Sequence, residues 1–248
     1  MINIPAQPDT GDWRFEYKYR LTLQQYHQIK IAIRPYTHPD KYTELSENNR
    51  YLVRSLYFDT VDMRAFQEKI DGNSDRTKLR IRSYADVMDE SMDIRVEMKA
   101  RKDIVVEKRS TFTTLESYQS LIHTNHWLSN NDPVLIEFER YLHLKSLKPL
   151  ILIEYYREGF TATAQKGLRF TFDHNVRSTR AASLFPSHPF FRAHFRGAII
   201  FEIKCNKSQP PWLHTLVQAY GLRIAANSKF AQGIEVSRPE IVQPTWSY

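Results

Sequence analysis

The 248-residue sequence predicts an α+β fold: an eight-stranded antiparallel β-barrel with helices packed on its outside. Eight short segments alternate apolar and polar residues, which is typical of half-buried strands. Segments with helical spacing lie between them, as expected when helices cover an antiparallel sheet. Several strands also carry Arg and Lys along one side, which favours closure of the sheet around a charged interior.

The eight predicted strands are bounded by turn residues or by helices. They span residues 13–20, 51–59, 77–84, 94–101, 104–112, 150–157, 168–173 and 197–205. Segments 35–49, 85–93 and 181–197 are predicted to be loops, because they show neither the two-residue period of a strand nor the 3.6-residue period of a helix.

Five helices are predicted from their spacing and their end signals. They cover residues 22–33, 60–71, 115–128, 132–145 and a segment that starts at Pro211. Thr22 and Gln25 have the spacing of a capping box at the start of the first helix. Gly72 and Gly221 are expected to end the second and the last helix, because glycine readily adopts the left-handed conformation found there.

Two neighbouring strands concentrate charge on one face. The residues on that face are Arg76, Lys78, Arg80 and Arg82 in one strand and Arg95, Glu97, Lys99 and Arg101 in the next. One such strand alone would indicate a solvated sheet face. Like charges on adjacent strands repel each other, however, so the repetition favours a barrel whose cationic interior binds a polyanion. A few carboxylates there would suit a divalent ion that arrives with phosphates.

Composition excludes several classes of protein. The net charge of +7 favours an anionic partner. The single cysteine, Cys205, excludes a disulfide framework and is predicted to be buried. No zinc-binding spacing relates His123, His126, His188 and His194. No glycine-rich nucleotide motif, secretory signal or membrane-spanning run is present, so a cytoplasmic protein is predicted.

Ordered motifs across residues 14–233 resemble one family. The spacing of Glu16 and Lys18 resembles the E-x-K opening of the triphosphate tunnel metalloenzymes, also called the CYTH superfamily. The later motifs resemble the VTC (vacuolar transporter chaperone) domain of polyphosphate polymerases. They are residues 53–60 (VRSLYFDT), 78–82 (KLRIR), 97–99 (EMK), 107–109 (EKR), 155–157 (YYR), 169–173 (RFTFD), 201–204 (FEIK), 211–213 (PWL) and 228–230 (SKF). Each motif is weak alone, but the ordered set is specific.

The resemblance implies a tunnel domain over residues 13–235, between tails at 1–12 and 236–248. It implies synthesis of inorganic polyphosphate from ATP with Mn²⁺ or Mg²⁺ as the metal. The implied catalytic residues are Lys18, Arg80, Arg82, Lys99, Arg157 and Arg169. Further phosphate contacts are implied for Lys108, Tyr155, Lys204, Ser228 and Lys229. Glu202 matches the metal-binding glutamate of the family, and Glu97 is a second candidate for that role.

Alternatives remain open at this point. Arg14 stands where the wider superfamily has the first glutamate of E-x-E-x-K, which favours a polymerase over a two-metal triphosphatase. A metal-dependent triphosphatase acting on tripolyphosphate or nucleoside triphosphate is the second reading, with Glu97 as the best candidate for a base. A non-catalytic polyphosphate or nucleotide-binding module is the third. Neither specific nucleic-acid recognition nor a membrane segment is predicted for this chain.

Overall fold

One antiparallel sheet organises the molecule. The computed structural model describes residues 15–237 apart from positions 74, 91, 103–104, 129–130, 207–208 and 226, and it does not describe the side chains of 102, 105 and 106. The long strands are β1 (Phe15–Leu21), β3 (Tyr51–Asp59), β4 (Arg76–Ser83), β5 (Ile94–Lys102), β6 (Val105–Thr113), β7 (Lys148–Ala162), β8 (Arg169–Arg180) and β10 (Ile199–Cys205). Two short strands, β2 (Thr37–Pro39) and β9 (Arg192–Ala193), pair with β7 and β8.

The sheet wraps around an interior. Its strands follow the order β1-β10-β8-β7-β3-β4-β5-β6, with every pairing antiparallel. A flat sheet would hold β1 and β5 about 29 Å apart, because adjacent strands lie about 4.8 Å apart. Glu16 on β1 nevertheless lies 3.7 Å from Lys99 on β5. Among the described residues, no backbone pairing joins β1 to β5 or β6, and this side-chain contact bridges the gap.

Seven helices are present in the described part of the chain, and four of them cover the outer face of the sheet. The seven are α1 (Leu23–Ile33), α2 (Lys41–Leu45), α3 (Arg64–Ile70), α4 (Leu115–Thr124), α5 (Pro133–Leu144), α6 (Pro211–Ala219) and α7 (Lys229–Ser237). On one half, α4 and α5 bury Leu121 and Phe138 against strand residues such as Val96. On the other half, α1 and α6 pack around Phe201. Each fully buried side chain of this size contributes roughly 1.5–3 kcal/mol through the hydrophobic effect.

The last helix, α7, lies against the opposite, inner face. Phe230 and Ile234 pack with Ile151 and Ile153 of β7 in a third apolar cluster. The ring of Phe230 lies 5.3 Å from that of Tyr57, measured between centroids. Part of the interior is therefore filled by apolar side chains, and the remainder of the inner face carries the charged residues.

The predicted fold class is confirmed, and all eight predicted strands are present. β8 continues to Arg180, although its predicted end is at 173. Asn175 has a φ of 52° within this strand, and the register of β7 with β8 shifts between Glu154 and Tyr156. This irregularity reverses the alternation of faces, so the period-2 pattern in the sequence breaks there and the predicted strand stops short.

All five predicted helices are present, with shorter ends. Gly72 and Gly221 have φ values of 75° and 58° and follow α3 and α6 as predicted. The capping box of Thr22 and Gln25 is formed. α3 starts at Arg64 instead of 60, because the Asp59 carboxylate accepts backbone hydrogen bonds from the first turn.

Two helices differ from the prediction, and the predicted tails are described only in part. α2 falls in the segment predicted as a loop, and α7 carries one of the recognised motifs but was not predicted to be helical. The predicted tail at 1–12 lies outside the described residues, as does Arg14. The predicted tail at 236–248 overlaps α7, which continues to Ser237.

Candidate functional site

The inner face of the sheet brings like charges from neighbouring strands together. Across the β4–β5 ladder, Arg82 lies opposite Arg95. In the same ladder, Lys78 lies opposite Lys99. Directly opposed like charges destabilise a sheet unless a counter-charge is present. This face is therefore suited to an anionic ligand, as the sequence predicts.

Most of the predicted phosphate-binding residues reach the same face. In addition to the four cations of the β4–β5 ladder, this face carries six more that each contact a carboxylate: Lys18, Arg80, Lys108, Arg157, Lys204 and Lys229. The carboxylates are Glu16, Glu97, Asp173 and Glu202. The cations outnumber these carboxylates.

Glu97 is surrounded by cations from β4 and β6. Its carboxylate lies 2.6 Å from Arg80 Nε, 3.6 Å from Arg82 Nε and 3.3 Å from Lys108 Nζ. Burial raises the pKa of Glu97, but Arg80 and Arg82 outweigh it and hold that pKa well below its usual range. A carboxylate with so low a proton affinity would be a weak general base. Its evident effect is to orient the guanidinium groups.

Asp173 organises the opposite side of the interior. Arg157 donates two hydrogen bonds to it, at 2.6 and 2.9 Å, in the bidentate geometry that arginine also uses for phosphate. Lys229 Nζ, at the start of α7, lies 2.6 Å from the same carboxylate. Burial opposes ionisation, but Arg157 and Lys229 lower the pKa of Asp173 to about 2. Asp173 therefore holds both cations in position at neutral pH.

Glu202 and Glu16 form the site that best suits a divalent ion. Glu202 lies 3.3 Å from Lys204 Nζ and is the cross-strand neighbour of both Lys18 and Thr171. Burial and the nearby Glu202 raise the pKa of Glu16, but Lys204 and Lys99 outweigh them, so that this pKa is lowered. Burial also raises the pKa of Glu202, but Lys204 and Lys18 outweigh it and hold that pKa well below its usual range. Two carboxylates brought together against their mutual repulsion are a common feature of metal sites.

An unsatisfied oxygen supports this assignment. The hydroxyl of Thr171 is buried and has no hydrogen-bond partner within the described part of the chain. It faces Glu202 across the β8–β10 ladder. Mn²⁺ and Mg²⁺ prefer oxygen ligands. The residues present thus fit such an ion, with Glu202 and Glu16 as the residues that would hold it.

Three predicted contacts differ in position or in partner. Arg169 lies at the edge of the site, where it contacts Asp40 at 3.2 Å and remains half exposed. Tyr155 is buried, and its ring lies 5.1 Å from the Arg157 guanidinium carbon. The Ser228 hydroxyl accepts from the backbone N–H of Ala231 at 3.4 Å, so it caps α7. Its phosphate contact stays a prediction.

Glu16 and Asp173 belong to the site, although the sequence analysis predicts no role for either of them. Both could have been found by alternation, because Glu16 precedes Lys18 by two residues on β1 and Asp173 follows Thr171 by two on β8. Their ion pairs join elements far apart in the chain. No local pattern indicates such a pairing.

Lys78 is expected to make the binding of a polyanion sensitive to pH. Burial lowers the pKa of Lys78 to about 8, and its Nζ lies 5.0 Å from the ring centroid of Phe230. A lysine loses its charge as the pH rises through its pKa. We therefore expect tripolyphosphate affinity to fall about fivefold between pH 7 and pH 9, as measured by calorimetry at constant ionic strength.

A Lys78→Arg variant is the control for this effect, because arginine stays charged over the whole range. It also corrects for titration of the ligand itself. An identical pH profile in both proteins would contradict the role of Lys78.

The sequence matches the profile of the VTC domain over residues 13–238. The chain belongs to the VTC domain family. The match spans every strand of the sheet and includes all of the inner-face residues described above.

Two solved structures resemble this chain at low sequence identity. A Bacillus halodurans protein named as a candidate adenylate cyclase superposes with a TM-score of 0.54 at 12% identity, covering 88% of this chain and 96% of its own. The PH1819 protein of Pyrococcus horikoshii OT3 gives a TM-score of 0.48 at 12% identity, covering 90% of this chain and 99% of its own. The first likeness shows a shared fold. No curated protein sequence matches this chain.

The structure contains no candidate for a membrane-spanning helix in its described part. Among the described residues, every helix is too short or too polar to span a bilayer.

Proposed function

We propose that this VTC domain is a polyphosphate polymerase that transfers the γ-phosphate of ATP to a growing polyphosphate chain. The observation that carries the proposal is the enclosed inner face, on which opposed cations from β4 and β5 lack enough carboxylates to balance them. Two polyanions, a donor and an acceptor, would supply the missing negative charge. Membership of the VTC domain family supports the same activity.

The arginines would position the phosphates. Phosphoryl transfer depends mainly on alignment and on neutralisation of charge, with little covalent participation by side chains. Arg80 and Arg157 are each held by a buried carboxylate at 2.6 Å, so their orientation is fixed before the ligand arrives. Each retains N–H groups able to bind a phosphate oxygen, since a guanidinium has five donors. The lysines would add charge without fixed geometry.

A divalent ion would bind at Glu202 and Glu16, beside the Thr171 hydroxyl. When bound, Mn²⁺ or Mg²⁺ supplies positive charge that offsets charge developing on the phosphates during transfer. Lys204 and Lys18 hold both carboxylates ionised at neutral pH, so the residues are in the protonation state that binding needs. We also propose a reducing, cytoplasmic setting, with which the buried free thiol of Cys205 is compatible.

One assay tests the activity. The purified chain is incubated with ATP and Mn²⁺, with and without a short polyphosphate primer, and the products are separated by gel electrophoresis alongside a measurement of ADP. We expect long chains and one ADP per phosphate added. Free phosphate without chains would indicate a triphosphatase instead, and unchanged ATP with retained binding would indicate a binding module.

Arg80→Ala tests whether the inner face is the site of the reaction. Removing Arg80 deletes a clamp that is present both in binding and in transfer, so we expect the KM for ATP to rise and kcat to fall, each by about tenfold. Arg140→Ala, which removes an exposed arginine of α5 on the outer side, is the matched control. Equal activity of the two variants would exclude the inner face.

A further inference from the structure

A second group of potential metal ligands lies on the outside of the molecule, at the corner between α4 and α5. One imidazole nitrogen each from His126 and His143 and one carboxylate oxygen of Glu139 lie within 4.8 Å of one another. Glu139 and His143 are four residues apart on α5, which places them on one face of that helix. His126 follows α4 and reaches them from the connecting segment.

Glu139 and His143 are each oriented by a contact outside the cluster. The backbone N–H of Trp127 donates to one Glu139 oxygen at 2.9 Å, while the other lies 2.8 Å from His126 Nδ1. Nε2 of His143 donates to the Asn125 carbonyl at 3.1 Å. A backbone carbonyl on one ring nitrogen is the usual arrangement for an imidazole that binds metal through the other.

A hydrogen bond between His126 and Glu139 explains only part of this geometry. It leaves unexplained why the second imidazole packs 4.9 Å from the first, measured between ring centroids. Two imidazoles and one carboxylate form a ligand set that zinc uses when a fourth position remains open.

We propose that His126, Glu139 and His143 bind a zinc ion, with the fourth position open to solvent. Zinc replaces the hydrogen on His126 Nδ1, and that hydrogen moves to the exposed Nε2 of the same ring. The ion would fasten the segment after α4 onto α5, next to Trp127, which is buried against Phe138. The sequence predicts no zinc site because His126 lies 13 residues before Glu139 in the chain, so the ligands form no short motif.

This site is separate from the proposed polymerase site. α5 packs through Leu135, Phe138 and Leu142 on the outer face of the sheet, whereas Glu202 lies on the inner face. The zinc site would therefore stabilise the fold without entering the reaction. Its presence or absence is independent of the proposed function.

The test measures zinc binding by metal-stripped, full-length protein. Isothermal titration with ZnCl₂ gives the stoichiometry, and Co²⁺ gives a visible absorption band that reports the ligand geometry. The variant is His143→Gln, and the matched control is His123→Gln, which removes an exposed histidine of α4 outside the cluster. A Glu16→Gln/Glu202→Gln double variant shows whether any of the bound zinc lies at the inner face.

We expect one tightly bound zinc in the wild type, in the His123→Gln protein and in the double variant. Saturating zinc should raise the midpoint of thermal unfolding by about 5 °C in these proteins, because a ligand that binds only the folded state stabilises it. His143→Gln should lose the shift and weaken binding at least about 30-fold, and MgCl₂ should not raise the midpoint of the double variant, which lacks the inner-face carboxylates. Absence of zinc binding, or equal binding by His143→Gln, would overturn the proposal.

Discussion

Glu202→Gln is expected to abolish turnover while leaving most of the affinity for tripolyphosphate. The substitution keeps the size of the side chain but removes a buried charge that Lys204 and Lys18 neutralise and that would hold the divalent ion. Loss of the ion should lower kcat by at least about 10³-fold, since the metal offsets charge in transfer. The extra positive charge left on the inner face should keep binding of the polyanion within about threefold.

The measurement is ADP release at saturating ATP and Mn²⁺, together with calorimetric binding of tripolyphosphate without metal. Glu137→Gln is the matched control, because it makes the same substitution on the exposed side of α5, away from the site. Normal turnover by Glu202→Gln would remove Glu202 from the metal site. Loss of both turnover and binding would indicate that the substitution disrupts the inner face as a whole.

Glu158→Ala is expected to destabilise the fold by about 2–3 kcal/mol, because it removes a buried carboxylate that neutralises two half-buried cations and accepts a buried hydrogen bond. The Glu158 carboxylate contacts Lys30 Nζ at 2.5 Å, Arg50 Nε at 2.8 Å and His174 Nε2 at 2.8 Å. Tyr26 donates a further hydrogen bond at 2.7 Å. Only 1% of the glutamate side chain is exposed, whereas 38% of Lys30 and 39% of Arg50 are exposed, so solvent screens the two ion pairs in part.

Denaturant unfolding followed by circular dichroism measures this loss. Glu137→Ala, whose ion pair with Arg140 is on the surface, should change stability by less than about 1 kcal/mol. Glu158→Gln, which keeps the shape, covers the case in which the alanine protein does not fold. A change below about 1 kcal/mol for both Glu158 variants would contradict the assignment.

The same carboxylate predicts how stability depends on pH. Burial alone would raise the pKa of Glu158, but hydrogen bonds from His174 and Lys30 lower it to about 2 from 4.5. A folded-state pKa below the unfolded one gives stability that is present above about pH 4.5 and is lost as the pH falls toward 2. The wild type should therefore lose stability more steeply than Glu158→Gln over this range.

The cationic face could be predicted because it depends on local alternation. Arg80 and Arg82 lie two residues apart, and any strand places such residues on the same side. The partners of these arginines could not be predicted in this way. Asp173 and Lys229 are 56 residues apart in the chain and meet only because α7 turns back against the inner face.

By itself, the sequence determined the α+β class, the eight strands, the helix ends at Gly72 and Gly221 and the sign of the charge on one face. These features follow from patterns within about ten residues, where side-chain periodicity and backbone preference act directly. Only the tertiary structure decided that α7 fills part of the interior, that Glu16 stands beside Glu202, and that His126 meets α5. Such contacts join distant segments through packing and charge compensation, which no short stretch of sequence encodes.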